Sequence, residues 1–266
     1  MTAHSARTVA SDLPLQVSRR GPVALLTLAS APVNALGTRL IRALHEALDE
    51  VVSDPGVRVL HVRTGLEVFC AGADLREMRA NLADRTTVDA QIAAVRDIQA
   101  VLARLESLPM ATLAEVGGAA MGGGLELALA CDLRVAACEA KLALPETRLG
   151  LLPGGGGTQR LTALCGPAIA RRLILGAEIF DGAAAAAMGV VHWAVPREAL
   201  EAFARDVADR VGALPRAAVA AAKACIAARG DPARDGFEEE LTATRDLLLH
   251  EPETRTRVDA FLAGKR

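Results

Sequence analysis

GGAAMGGGLELALACD, residues 117–132, sets three consecutive glycines, Gly122, Gly123 and Gly124, directly before a lone acid, Glu126, in an otherwise apolar run. Without Cβ atoms in the way, such a backbone lets a ligand come close. The helix that begins there turns unpaired N–H groups and the positive end of its dipole toward the glycines. This suits an oxygen that gains negative charge during a reaction, with the N–H of Gly123 as one donor. Glu126 lies one turn into the helix, on the side that faces the same pocket. Its neighbours Leu125, Leu127 and Leu129 make a dry setting, which raises a carboxyl pKa toward the range useful for proton transfer. Taken alone, the three glycines read equally as a tight turn or a helix-packing requirement, and a lone helical Glu as a cap or an arginine partner.

Working outward, FCAGADLREM, residues 69–78, is a second small-residue turn running into a helix start. It makes Ala73 the candidate for the second main-chain donor, and Asp74 the N-cap of the helix that follows. A second acid, Glu146, stands in LPET, placed by Pro145 at the end of the short apolar run Leu142 to Leu144. Carboxylates on loops after buried strands are often placed for catalysis in α/β proteins. Two carboxyls across a pocket can hold a water, one taking its proton and the other donating to carbon. Gly154–Gly157 matches neither the phosphate-binding GxxxxGK[ST] pattern nor a strand-GxGxxG-helix unit, and reads as a turn into a helix starting near Thr158.

Around these motifs the chain alternates strand and helix. Leu15–Val17, Val23–Leu28, Val57–Val62, Met110–Val116 and Leu133–Ala137 read as strands. Thr38–Val52 repeats apolar residues at Leu40, Ile41, Leu44, Leu48, Val51 and Val52, and Thr87–Leu108 at Ile92, Val95, Ile98, Val101, Leu102 and Leu105, both at helical spacing. The pattern predicts an α/β fold with parallel strands and crossovers. Beyond about residue 165 the chain becomes helical and Ala-rich, broken at Gly176, Gly189, Pro196, Pro215 and Pro252. That part is too thin in large apolar residues to form a core of its own.

Composition removes several function classes. The 266 residues are 52% hydrophobic and 23% charged, with a formal charge of -2, so no strong field draws in nucleic acid or membrane. Aromatic residues make up 2%, too few for base-stacking platforms. The five cysteines form no CxxC pair and the five histidines have no ligand spacing, so neither disulfides nor a metal site are expected. Asp132 reads as a turn or buried pair, and Trp193 as packing. The N-terminal segment lacks the apolar core of a secretory signal and reads as a flexible tail over 1–13, which suggests a cytoplasmic protein.

In their order, FCAGADLREM, VGGAAMGGGLELALACDLRVAA and LALPETRLGLLPGGGGTQRL resemble the crotonase superfamily, and within it the enoyl-CoA hydratases. The likeness runs from APVNAL at 31–36 to the closing VDAFLAGKR, and is similar to the methylglutaconyl-CoA hydratase branch in the stretch from ELALACDLRVAA to PGGGGTQRL. The resemblance implies a spiral of ββα units over 14–200 with a C-terminal helical trimerisation region over 201–266, assembled as a trimer or dimer of trimers. It implies an acyl-CoA substrate whose thioester carbonyl accepts from the N–H groups of Ala73 and Gly123. Glu126 and Glu146 stand where hydratases carry two glutamates, Glu126 activating the water that attacks C3 and Glu146 exchanging the proton at C2. It further implies contacts to coenzyme A near Ala35, Ala71, Asp74, Leu75 and Arg76, with Lys265 and Arg266 as basic partners, and no metal or redox cofactor. The lysine-rich helix that RNA binding would want is absent.

Overall fold

A ladder of parallel pairings organises the chain, each strand contributed by a segment with a buried β-type run. The computed structural model describes residues 13–82 and 87–264. In chain order the strands are β1 Leu15–Arg20, β2 Val23–Leu28, β3 Val59–Thr64, β4 Ala111–Val116, β5 Ala120–Met121, β6 Leu133–Ala137, β7 Lys141–Ala143, β8 Phe180–Asp181 and β9 Trp193–Val195. The helices are α1 Thr38–Ser53, α2 Leu75–Asn81, α3 Val88–Glu106, α4 Gly123–Leu129, α5 Gly157–Leu175, α6 Gly182–Ala187, α7 Arg197–Gly212, α8 Arg216–Ala228, α9 Gly236–His250 and α10 Pro252–Leu262. The tail expected over 1–13 lies outside the described residues apart from Leu13.

The main sheet has the order β1-β2-β3-β4-β6-β9, parallel throughout except for the β1–β2 hairpin. A second, short sheet, β5-β7-β8, lies beside it. Two single bridges, Leu36 with Ala73 and Cys70 with Ala120, carry this second ladder back through the loops after β2 and β3. Each repeat therefore supplies one long strand, one short extended piece and a helix, the ββα rise of a spiral. Strand segments that follow one another in the main sheet reappear as neighbours in the second ladder. The turns NAL, CAGAD, AAMGGG and LALPE are thus stacked side by side although they span more than a hundred residues of sequence.

α1 buries Leu40, Ile41, Leu44, Ala47, Leu48 and Val51, the stripe its spacing predicts, while Val52 turns outward. On α3 the stripe is only half used: Ile98, Val101, Leu102 and Leu105 are buried, but Ile92 stands 49% exposed. Arg104, near the C-terminal end of α3, reaches His45 of α1, whereas Gln91 in its first turns meets Asn81 of short α2. The pattern also missed β5, β8 and β9, which at two or three residues are too short for alternation to register. α7 covers the main sheet over β2, β3, β4, β6 and β9 with Leu200, Ala204, Val207 and Ala208. In contrast α8, α9 and α10 leave Ile226, Phe237, Leu241 and Phe261 exposed at 76%, 81%, 65% and 83%. Among the described residues no single helix is long and apolar enough to cross a membrane.

Candidate active site

The CAGAD turn and the AAMGGG turn meet back to back. Met121 N donates to Cys70 O at 3.0 Å, and Cys70 N to Ala119 O at 3.1 Å. At Gly72, φ is +95°, and a Cβ there would fall 2.7 Å from the Met121 carbonyl and 3.2 Å from Gly123 N, so no other residue fits. A Cβ placed on Gly123 would in turn lie 3.5 Å from Ala73 N. The two main-chain amides named from sequence are therefore neighbours. Among the described residues neither donates a hydrogen bond within the protein. Gly123 is the first residue of α4, where an N–H has no intrahelical acceptor.

Buried polar groups behind this turn fix its position. Asn34 is fully buried and gives its Nδ2 to Thr64 Oγ1 at 2.9 Å and Phe69 O at 3.0 Å, while its Oδ1 accepts from Ser30 N at 2.8 Å. It locks the loop after β2 against the loop after β3, and Leu36 N then donates to Gly72 O at 2.8 Å. Cys70 donates its thiol to the Asn34 carbonyl, and burial pushes its pKa up to about 12, so it remains a thiol. Asn34 was within the APVNAL stretch but carried no sequence signal of this role beyond being a polar residue in an apolar run.

One acid, Glu146, stands against this turn, and the charge of the other, Glu126, reaches it. Gly122, with φ +52°, would drive a Cβ to 2.7 Å from Glu146 Oε1, which puts that carboxyl one residue from Gly123. Glu146 opens a short 3-10 turn, Glu146–Leu149, directly after β7, and β7 is held to the glycine turn by Gly122 N donating to Ala143 O at 2.9 Å. Glu126 is only 2% exposed, on a helix whose every residue is buried. Its Oε1 accepts from Gly157 N at 2.7 Å.

The two carboxyls are treated unequally. Burial raises the pKa of Glu126, but the amides of Gly157 and Gly155 and the charge of Arg160 all oppose the rise. Burial raises Glu146 to about 7, its own amide opposes the rise, and the charge of Glu126 adds a smaller upward push. Glu146 Oε2 is buried without a hydrogen-bond partner among the described residues. Both carboxyls are shifted upward, Glu146 to about 7, and only Glu126 has the amides of other residues and a cation that favour its charged form.

The remaining residues named from sequence fall on the rim of this turn or beyond view. Ala35 is half-buried and Ala71 exposed, on two loops joined by Ala71 N donating to Val33 O at 3.0 Å, while Leu75 and Arg76 are exposed in the first turn of α2. The carboxylate of Asp74 caps α2, accepting from Arg76 N at 2.8 Å and Glu77 N at 3.2 Å. Glu77 then reaches across to cap α1, accepting from Thr38 N at 2.9 Å. Lys265 and Arg266 lie outside the described residues. Asp132 forms a partly buried pair with Lys223 at 2.8 Å, and Trp193 packs on Phe203. No group of three His, Cys, Asp or Glu side chains among the described residues could hold a metal ion.

Fold and site together define a spiral α/β protein in which two uncommitted main-chain amides lie near two acids, Glu126 buried and Glu146 half-buried. Residues 18–262 match the family model described as enoyl-CoA hydratase/isomerase, and the chain belongs to that family. It is 43% identical over 178 residues to the methylglutaconyl-CoA hydratase of Homo sapiens, a match covering 66% of this chain and 51% of that protein. It is 41% identical to a probable enoyl-CoA hydratase of Bacillus subtilis, covering 66% of this chain and 67% of that protein. The chain spans about half the length of the mammalian methylglutaconyl-CoA hydratases it matches. A crystal structure of an enoyl-CoA hydratase from Bacillus anthracis superimposes with a TM-score of 0.88 at 31% identity, over 95% of this chain and 97% of that one.

Proposed function

We propose that the protein is an enoyl-CoA hydratase, adding water syn across the C2–C3 double bond of a 2-enoyl-CoA thioester. The observation that carries this reading is the unequal pair of carboxyls, Glu146 against the Gly122 turn without a partner for its Oε2 and Glu126 held by the amide of Gly157, near enough for the charge of one to act on the other. The thioester oxygen accepts from Ala73 and Gly123 N–H, so the charge that develops there meets fixed donors. Glu126, ionised, takes a proton from water as its oxygen bonds to C3. The double-bond electrons move toward the thioester oxygen, and Glu146 delivers its proton to C2 as the carbonyl re-forms. One water is consumed, and proton exchange with solvent restores the pair. Coenzyme A enters as part of the substrate, and no further cofactor has a role in these steps. Ala35, Ala71, Leu75 and Arg76 are proposed to line the path of the coenzyme A arm, with Lys265 beyond them and Asp74 acting through the cap that holds α2.

The assay is hydration of short, long and branched 2-enoyl-CoA thioesters, followed by loss of the enoyl absorbance. Glu126→Gln and Glu146→Gln are each expected to lower kcat by about 10²–10⁴-fold with the fold intact by circular dichroism. An active protein whose Glu126→Gln variant retains full turnover, with double-bond migration as its product, is an isomerase instead. A folded wild-type chain that binds the thioesters and converts none of them removes the catalytic reading altogether.

The exposed apolar residues of α8–α10 support assembly with further copies of this chain, as a trimer or a dimer of trimers. A groove of about 650 Å³ between α8 and α9, lined by Ala221, Ala222, Ile226 and Leu247, belongs to this face and lies away from both carboxyls. Light scattering of the purified protein tests the assembly, and a monomer at micromolar concentration rejects it.

A further inference from the structure

The four glycines Gly154–Gly157 have no side chains with which to fix themselves, yet two of their amides act on the catalytic carboxylate of Glu126. Each participating peptide is held at its carbonyl end. Gly154 O, which shares a peptide with the Gly155 amide, accepts from Gln99 Nε2 of α3 at 2.7 Å. Gly156 O, which shares a peptide with the Gly157 amide, accepts from Gln159 N at 3.1 Å and Arg160 N at 2.9 Å. Between them Gly155 O accepts from Arg160 Nη1 at 2.8 Å. The guanidinium is in turn fixed by Glu106, whose Oε2 accepts from Nε at 3.1 Å and Nη2 at 2.9 Å. The Arg160 side chain is 13% exposed, against 54% for Glu106, so the cation is screened from water on the side of the loop. An arginine can hold a carbonyl and a carboxylate at once because its donors form a rigid planar fork.

We propose that Arg160 is a positioning residue for Glu126: by clamping the Gly155 carbonyl against α3 it aims the Gly155 and Gly157 amides at the carboxylate and places a fixed positive charge behind it. Arg160 touches no reacting atom in this reading, and its role rests on Glu126 being the base of the hydration proposed above. The charged groups that surround Glu126 are Arg160 from α5, Glu106 behind it from α3, and Glu146 from the 3-10 turn, while α3 otherwise presents Val95 and Ile98 to the loop. The charge of Arg160 favours the ionised carboxylate, and that of Glu106 offsets part of it.

The test reads Glu126 directly, so that it stands apart from turnover. In a Glu146→Gln background, which removes the coupled partner, the ¹³C carboxyl resonance of Glu126 is identified by its loss in Glu126→Gln and titrated with pH. Arg160→Gln is expected to raise the midpoint by about one pH unit, and Arg160→Lys, which keeps the charge, by less than half of that. Glu106→Gln, a surface change that keeps the loop, is expected to lower the midpoint by about 0.3 unit, because it frees the guanidinium charge. In chains that keep Glu146, Arg160→Gln lowers kcat for crotonyl-CoA about tenfold with KM changed less than twofold, and moves the acidic limb of the pH profile upward. A Glu126 midpoint within 0.2 unit of the parent in Arg160→Gln overturns the proposal. Should that variant fail to fold, an unmoved midpoint in Glu106→Gln overturns it in the same way. If wild-type protein hydrates no enoyl-CoA while the midpoints move as stated, the hydration reading fails and the positioning role stands.

Discussion

The protein contains two runs of three or more glycines, 122–124 and 154–157, and the two stand in opposite relations to their amides. The first run keeps the amide of Gly123 uncommitted, next to the equally uncommitted amide of Ala73. In the second run, the amide of Gly157 is given to Glu126, with Gly155 assisting, and the carbonyls are tied down by Gln99 and Arg160. In the proposed reaction one run serves the thioester oxygen, whereas the other serves a side chain of the protein itself. Glycine content is the same signal in both; the difference lies in what stands across from each run. Opposite Gly157 is a buried acid that needs donors to stay ionised, whereas opposite Gly123 is another turn that brings a donor of its own.

Substitutions at the two runs separate these roles. Gly155→Ala would put a methyl 2.5 Å from Glu126 Oε2, and Gly122→Ala one 2.7 Å from Glu146 Oε1. Each is expected to lower kcat by about 10²-fold, the usual cost of misplacing a catalytic group by an ångström. The two differ in the pH profile: Gly155→Ala moves the acidic limb, and Gly122→Ala the basic one. Gly122→Ala also puts a side chain at positive φ, which costs about 1–2 kcal/mol and shows as a lower Tm than that of Gly155→Ala. Equal profiles in the two variants would mean that the runs do not address separate acids.

A smaller effect comes from pH itself. With Glu146 raised to about 7, kcat of the unaltered protein is expected to fall by up to tenfold per unit above that pH as the proton donor is lost. It falls again toward acid as Glu126 takes up a proton. A rate that stays flat from pH 6 to 9, measured at saturating thioester, contradicts the assignment of Glu146 as the acid.

The smallest expected effect is on stability. The folded pKa of Glu146 lies above its unfolded value of 4.5, so the folded state binds more protons between the two, and stability declines as pH rises through that window. Glu146→Gln removes this penalty. Its Tm is expected to exceed that of the parent at pH 8, by about 2–4 °C for each kcal/mol relieved, and to draw level near pH 4. An equal difference at both pH values would trace the change to packing instead.

Much of this comparison could be read before any coordinates. The stripes of α1 and the core half of α3, the parallel strands and the cap at Asp74 follow from local pattern, while Ala73 as the partner of Gly123 follows from the need for a second donor and from the family resemblance. What stayed hidden was the second glycine run, legible only as a turn into α5. Its purpose depends on Gln99 and Arg160, two polar residues of ordinary appearance, and on Glu126, which lies 31 positions from Gly157 in sequence. No local pattern records a side chain whose partner is a main-chain carbonyl on another element. The second ladder was hidden for a related reason, since its rungs at Leu36–Ala73 and Cys70–Ala120 are single residues without any run to detect.

Cys70 sits in that ladder with its sulfur sealed against the Asn34 carbonyl. Alkylating reagents and peroxide attack the thiolate form, which a pKa of about 12 all but abolishes at any working pH. Preparations kept without reductant should therefore age at the partly exposed Cys138 and Cys225, while the neighbourhood of the Gly122–Gly124 turn stays chemically fresh.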